Sequence, residues 1–201
     1  VAAVWWAFAI FSGSRATWVS ISFVVLIVFF LGSVGRKISA RAILAIFFGF
    51  VLHQLFFIFI AEFFTGSVAW NAIHRLRDGL SLSSRDVLWI LALEGISEAP
   101  VLGKGPMMFA ATNNGVASTA HNFILQLAYE WGLPLALFVV GFAVSWVWNQ
   151  YKLCRADQSP LRIVLWMSIV GAMVEAQFDG LFNAPHSQLL FCALLAWMLS
   201  L

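Results

Sequence analysis

Long apolar segments constrain this chain more than any other feature of its sequence. A membrane-spanning helix needs about 20 predominantly apolar residues to cross the bilayer core. Segments of this kind occupy approximately 17–34, 42–64, 123–148, 161–178 and 187–201, and residues 1–11 resemble the end of an earlier span. Of the 201 residues 62% are hydrophobic and only 10% are charged, whereas soluble domains carry about 25% charged residues. The sequence therefore predicts an all-α fold, a polytopic transmembrane helix bundle with about five to six spans.

The chain begins at Val1, inside an apolar run and without a Met. A secretory signal peptide is disfavoured because there is neither a basic n-region nor a small-residue cleavage site. We therefore expect these residues to be part of a longer polytopic protein.

Cys154 and Cys192 are not expected to form a disulfide, since the first falls in a polar loop and the second inside a span. The net charge of +2, without a basic-aromatic patch, does not favour nucleic acid as a partner.

The positions of Lys and Arg predict which side of the membrane each loop occupies, because short basic loops stay in the cytoplasm. Residues 35–41 and 149–162 form two such loops, and the two spans between them allow both to be cytoplasmic. The connection 12–16, the long loop 65–120 and the turn 179–186 then fall on the outer side. The outer polar residues include Arg15, Arg75, Arg77, Arg85, Lys104, His121, Asp179 and His186. Any chemistry is expected on this side.

The long outer loop contains one clear helical pattern. Ser83 or Ser84 can cap the start of the helix, and Asp86 in the first turn complements the helix dipole. Gly95 and Pro100 are expected to mark its far end. The loop is therefore predicted to carry short helices rather than to be irregular throughout.

Four short motifs follow one another along the outer side. They are Ser14-Arg15, then Arg85 with Trp89, then Pro100 with Gly103 and Gly105, then His121-Asn122 with Leu125-Gln126, Glu130 and Gly132. In this order, the chain resembles the C-terminal half of the bacterial O-antigen ligase and polymerase superfamily, strongly over residues 12–150. Pro106 and Leu135 stand where that superfamily often has glycines. These two departures bear on the shape of the turn and on the assignment to a subfamily, and less on the assignment to the superfamily.

The resemblance implies a glycosyltransferase of the GT-C type in the bacterial inner (cytoplasmic) membrane, with its active site facing the periplasm. Residues 1–201 would be the C-terminal part of a single membrane domain, with 65–120 as its periplasmic loop. Such enzymes move a glycan from undecaprenyl diphosphate to a hydroxyl group, without a metal or another cofactor. Ligases use lipid A-core as the acceptor, polymerases use another glycan, and related O-oligosaccharyltransferases use protein. The expected partners are thus the lipid-linked donor, one of these acceptors and membrane lipids.

The residue types suit that reaction. Negative charge grows on the diphosphate as the glycosidic bond breaks, and the planar guanidinium group binds such an anion with several donors. Arg15 and Arg85 are the expected catalytic pair, with Arg75 and Arg77 as substrate-binding helpers. His121 is the expected catalytic residue for the acceptor hydroxyl, because an imidazole can orient a hydroxyl group or take its proton.

Two further sets of residues are predicted to bind substrate. Asn122, Gln126 and Glu130 recur every four residues, share one helix stripe, and can bind sugar hydroxyls or orient the active-site residues. The second set is a glycine-spaced turn whose backbone N–H groups can approach an anion, although such a turn is more often only structural. It consists of Gly103, Lys104 and Gly105.

Each of the three catalytic candidates also has a simpler interpretation. Arg15 can be an interfacial anchor whose charged end reaches the headgroups. Arg85 can pair with Asp86 or Glu94 on a solvated helix face. His121 can be a cap residue at a helix start. The order of the motifs on one membrane side favours the catalytic interpretation.

A transporter or flippase is the alternative from another functional class. Transport needs polar or ionisable residues near the membrane midplane, on interrupted helices. His53 and Gln54 alone fit that description, and the other notable polar residues lie toward the outer end of their spans. The sequence therefore favours an enzyme.

Overall fold

A computed structural model describes residues 15–56, 85–112, 117–178 and 185–201 of the chain. All regular secondary structure in these ranges is helical. The helices are α1 (Arg15–Phe29), α2 (Ser33–Phe56), α3 (Arg85–Glu98), α4 (Met108–Ala111), α5 (Phe123–Trp131), α6 (Leu133–Asp157), α7 (Pro160–Glu175) and α8 (Pro185–Leu199). The all-α prediction is confirmed for this part of the chain. The chain divides into two compact units, residues 1–81 and residues 82–201.

The first unit contains the hairpin of α1 and α2. Gly32, with φ of 103°, lies in the turn between them, in a backbone conformation that favours glycine. The buried hydroxyl of Ser39 donates to the Val25 carbonyl at 3.0 Å and joins the two helices. Residues 35–41, predicted as a basic loop, instead form the first turns of α2. Lys and Arg are good helix formers, so the glycine turn before them, not their charge, sets the helix boundary.

One helix in the described ranges, α6, is long and apolar enough to cross a membrane. Only 6% of its most apolar stretch of 18 residues is buried, so this stretch of α6 does not form a protein core. Helices α1 and α8 have shorter apolar stretches, Thr17–Phe29 and Ser187–Leu199. The remaining predicted spans, and hence the number of crossings, stay predictions.

The prediction of a single helix over 123–148 is wrong. Gly132, with φ of 87° and ψ of 163°, separates α5 from α6. That conformation is almost restricted to glycine, and Pro134 lies in the first turn of the next helix, where its missing N–H is tolerated. His121 therefore does not lie on a continuous extension of the membrane helix.

Helices α6 and α7 form a tight hairpin. Gln158 ends α6 in the left-handed conformation, and the Ser159 side chain caps α7 by accepting from the backbone N–H of Arg162. The Arg162 side chain donates to the Asp157 carboxylate at 2.7 Å across the turn. Further along the hairpin, the indole of Trp166 donates to the Val147 carbonyl at 3.1 Å. The predicted cytoplasmic loop is thus largely helical, with the turn confined to residues 158–159.

One hydrophobic cluster of the second unit gathers around α3 and α5. It consists of Leu88, Ala92, Ile96, Phe109, Ala120, Ala128, Tyr129 and Ala136. The rings of Phe109 and Tyr129 meet edge to face, with centroids 5.2 Å apart.

Asp86 lies in the first turn of α3, as predicted, and Ser83 and Ser84 fall outside the described residues. Gly95 does not end the helix but lies buried inside it, directly against the Tyr129 ring.

Candidate active site

Helices α3 and α5 pack on each other through their late turns. Gly95, late in α3, contacts the ring of Tyr129, late in α5. Just beyond, the backbone N–H of Leu133 donates to the Pro100 carbonyl at 2.8 Å. Helical rise places Arg85 about 15 Å from Gly95 along α3. Arg85 is the first residue of α3 and is partly buried.

The turn at 100–105 packs onto the last turn of α5. The backbone N–H of Lys104 donates to the Tyr129 carbonyl at 2.8 Å, and that of Gly105 to the Glu130 carbonyl at 3.0 Å. These bonds satisfy two carbonyls near the end of α5 that the interruption at Gly132 leaves without helical partners. Gly103 donates in turn to the Ala99 carbonyl at 3.0 Å. The backbone N–H groups of this turn therefore have a structural use, and substrate contact by Gly103, Lys104 or Gly105 stays a prediction.

The side chain of Lys104 pairs with the carboxylate of Glu98 on the exposed side of this turn. The hydrogen bond to Glu98 raises the pKa of Lys104 above its usual value, and the nearby negative charge acts in the same direction. Among the predicted binding residues, Lys104 is thus a cation at the opposite end of α5 from His121.

His121 lies immediately before α5 with φ of 50°, in the left-handed region that L residues rarely adopt. The next residue, Asn122, is the N-cap of α5, and its side-chain oxygen accepts from the backbone N–H of Leu125 at 2.9 Å. The cap is therefore Asn122, and the interpretation of His121 as the cap residue is wrong. His121 itself is partly buried.

The end of α7 holds the segment that follows His121. The Asn122 side-chain amide donates to the Gln177 carbonyl at 3.1 Å, and the Phe123 backbone N–H donates to the Ala176 carbonyl at 3.0 Å. The Gln177 side chain in turn donates to the Met173 carbonyl at 3.0 Å. The side-chain oxygen of Gln177 is buried and has no hydrogen-bond partner in the described part of the chain.

Gln126 and Glu130 form a hydrogen-bonded row along α5. The side-chain oxygen of Gln126 accepts from the backbone N–H of Ala120 at 2.8 Å. The amide nitrogen of Gln126 donates to a carboxylate oxygen of Glu130 at 2.5 Å. The spacing of four residues therefore connects the segment before His121 to the middle and end of α5.

The other candidates lie elsewhere in the chain. Arg15 is the first residue of α1 in the first unit, and its side chain is outside the described residues. Arg75 and Arg77 fall in 57–84, also outside them. Within the described ranges, no ion pair joins Arg85 to Asp86 or Glu94. Those ranges also contain no group of three or more His, Cys, Asp or Glu side chains placed to hold a metal ion.

Comparison with known families decides the identity of the chain. A family model described as O-antigen ligase matches residues 1–140. The chain belongs to the O-antigen ligase family. The match includes the His121 segment, α5 and the glycine turn, and it ends inside α6. No curated protein and no solved structure matches the chain.

Membership in the O-antigen ligase family establishes the broad biology of this protein. It is a membrane protein of O-antigen and lipopolysaccharide biosynthesis, with a ligase-like or polymerase-like activity of the glycosyltransferase class. Its substrates in general are lipid-linked glycans.

Sequence analysis missed the contribution of Ala176 and Gln177 to this region of the O-antigen ligase family member. Both lie beyond the matched residues and reach the His121 segment from a sequence distance of more than 50 residues. The available signal was the change from an apolar run to the polar segment that begins at Glu175. That change indicates a helix end, but it does not indicate which loop the helix end contacts.

Proposed function

We propose that this protein transfers a glycan from undecaprenyl diphosphate to an acceptor hydroxyl at the periplasmic face of the bacterial inner membrane. The proposal assigns the activation of the acceptor to His121 and the binding of the diphosphate to Arg85 and Arg15. Arg75 and Arg77 assist in binding the donor. The single observation that carries the proposal is the left-handed backbone of His121, held between fixed neighbours at the start of α5. Strained backbone that the surroundings over-determine is concentrated at functional sites.

In the proposed reaction, the acceptor oxygen bonds to the anomeric carbon of the donor sugar. The bond from that carbon to the phosphate oxygen breaks, and its electron pair leaves with undecaprenyl diphosphate. The acceptor proton passes to His121. Attack opposite the leaving group inverts the anomeric centre. The arginines stabilise the charge that develops on the diphosphate without a metal ion.

The geometry of α7 supports an outward-facing site. One end of this helix carries Arg162 in its first turn, close to Lys152 and Arg155 in sequence. The other end holds the segment of His121 through Ala176 and Gln177. The 16 residues of α7 separate the two ends by about 24 Å, a large part of a bilayer core of about 30 Å. Because basic turns stay in the cytoplasm, the His121 end is assigned to the periplasm.

The proposal takes lipid A-core as the acceptor, which makes the protein an O-antigen ligase within one GT-C-type membrane domain. In that domain, residues 65–120 are the periplasmic loop. An O-antigen polymerase or a protein O-oligosaccharyltransferase is the nearest alternative. A deletion strain separates the possibilities. Loss of all glycan from lipid A-core indicates a ligase, loss of long chains with single repeats still attached indicates a polymerase, and loss of glycan from protein indicates the third activity.

A transporter or flippase is the second alternative. The residues that motivate it, His53 and Gln54, lie on α2 with side chains outside the described residues. Membership in the O-antigen ligase family favours transfer over transport. Transfer by purified protein in detergent, without two separated compartments, would exclude a purely transporting role.

Replacement of Arg15, Arg85 or His121 by Ala in the full-length protein tests the assigned roles. Loss of a general acid-base group lowers the rate by about 10²- to 10⁴-fold, and the arginine variants are also expected to lose transfer. The measurement is glycan attached to lipid A-core at matched membrane levels of protein. Asn149→Ala, an exposed position in α6, is the control and should transfer normally. Normal transfer by all three variants would refute the assignment.

A further inference from the structure

The backbone conformation of His121 needs an explanation. Its φ of 50° lies where L residues are uncommon. Such a conformation persists only when the surrounding structure holds it. Because φ and ψ of one residue set the relative orientation of the two flanking peptide groups, the contacts on either side of His121 decide whether it can relax.

Both flanks of His121 are held by hydrogen bonds. On the C-terminal side, Asn122 and Phe123 are bound to carbonyls at the end of α7. On the N-terminal side, the fully buried Ala120 donates its N–H to the side chain of Gln126 at 2.8 Å. Release of the Gln126 contact would remove the hydrogen bond that fixes this flank and leave a buried N–H without its partner.

Glu130 controls which end of the Gln126 amide faces Ala120. The Gln126 nitrogen donates to the Glu130 carboxylate at 2.5 Å, so the oxygen end is directed to the Ala120 N–H. An amide has one accepting end and one donating end. Without an acceptor at position 130, the Gln126 NH₂ group loses this partner, and the side chain is free to turn away from the Ala120 N–H.

We propose that Gln126 and Glu130 are positioning residues that hold His121 in its left-handed conformation through Ala120. This inference rests on the proposed function, since it concerns how the acting imidazole is directed. It departs from the substrate-binding role that the helix stripe suggested, because a Gln126 side chain turned toward a sugar would abandon Ala120. The part of Glu130 is to accept a hydrogen bond, for which an uncharged amide oxygen also suffices.

We call the hydrogen bonds that connect Glu130, Gln126 and Ala120 the relay. Exchange of the side chains at positions 126 and 130 tests it. Gln126→Glu alone sets two carboxylates against each other, and Gln126→Leu removes the contact to Ala120. Glu130→Gln keeps an acceptor for the Gln126 amide. In the double variant Gln126→Glu/Glu130→Gln, the carboxylate introduced at 126 accepts from Ala120 and from the amide introduced at 130. The double exchange therefore restores the relay with its polarity reversed.

The expected order of activity follows from these contacts. Gln126→Leu and Gln126→Glu should lower kcat by about 10- to 100-fold, the scale of a misdirected catalytic group, with little change in the donor KM. Glu130→Gln and the double variant should stay within about threefold of the unsubstituted protein. The assay is transfer by full-length protein in proteoliposomes, with melting temperatures recorded for every variant. Asn149→Leu, an exposed polar-to-apolar change, is the control.

Two results would overturn the relay. One is a loss in Glu130→Gln as large as in Gln126→Leu, which would mean that the negative charge itself is needed. The other is a double variant no more active than Gln126→Glu. His121→Ala in the same assay separates this failure from failure of the proposed function. Normal transfer by His121→Ala overturns both, whereas an inactive His121→Ala with no rescue by the exchange overturns the relay alone. The near-isosteric exchanges keep the test decisive if Gln126→Leu does not fold.

Discussion

Gly103 lies so close to the backbone of Glu130 that a methyl group added at Gly103 would come within 2.5 Å of the Glu130 carbonyl carbon. The contact is matched on the other side by Gly132, where an added Cβ would overlap the carbonyl oxygen of Val101. Two family motifs that are separate in sequence thus fit into each other through their glycines. The contact holds the turn at 100–105 against the end of α5.

Alanine substitutions in this contact should rank by space as well as by backbone conformation. Gly103→Ala and Gly132→Ala meet backbone atoms, so each should destabilise more than Gly105→Ala, whose nearest neighbour is the flexible Met108 side chain at 3.4 Å. Gly105→Ala pays only for its positive φ, about 1–2 kcal/mol. Gly141, with nothing within 4 Å, is the matched control. Melting temperatures in detergent give the ranking, and an equal cost at 103 and 105 would contradict the close contact.

Gly95→Ala should weaken the packing of α3 on α5. An added methyl group at Gly95 overlaps the ring of Tyr129, which is buried and packed against Phe109. Small-to-large changes in a packed core cost about 1–3 kcal/mol. Tyr129→Leu alone is also destabilising, but together with Gly95→Ala it should cost less than the sum, with a coupling of about 0.5–3 kcal/mol. Additive costs in a double-mutant cycle would mean that the two residues do not share this space.

Asn122 has two roles that conservative substitution can separate. Asn122→Ala removes the N-cap of α5, a loss of about 1 kcal/mol, and also the bond to the Gln177 carbonyl. Asn122→Asp keeps the accepting oxygen of the cap but has no amide to donate to Gln177. We expect Asn122→Asp to lie between the unsubstituted protein and Asn122→Ala in melting temperature. Hydrogen exchange of α5 and of the end of α7 measures each loss, and identical profiles for the two variants would argue against separate roles.

The pairing of Lys104 with Glu98 predicts a pH dependence at the alkaline end. The hydrogen bond raises the pKa of Lys104 above 10.5 in the folded protein. A raised pKa means that the stabilisation is present below the unfolded-state value and is lost as the pH rises through the folded-state value. Lys104→Met should therefore lower the melting temperature slightly at pH 7–9, and the difference should vanish once the pH exceeds the folded-state pKa of Lys104. A difference that persists there would show that the ion pair is not its source.

The apolar runs and the short helical patterns were sufficient to predict the helical class and membrane character. A long apolar segment has few stable alternatives to a helix in lipid. The acidic residue at the start of α3 and the four-residue spacing along α5 are also local signals. They indicated a helix beginning near Arg85 and a shared row for Gln126 and Glu130, and both features are present in the structure.

Only the tertiary structure decided where the long apolar run breaks and what meets there. Gly132 and Pro134 permit the break, and the turn at Gly103 and Gly105 stabilises it with N–H donors to carbonyls near the end of α5. The segment that follows His121 is held likewise by the end of α7, whose Gln177 carbonyl is 55 residues away from Asn122 in sequence. Local propensity and hydrophobic spacing determine which helices can form. Long-range hydrogen bonds and close backbone contacts determine where they stop, because these contacts exist only once distant segments have been brought together.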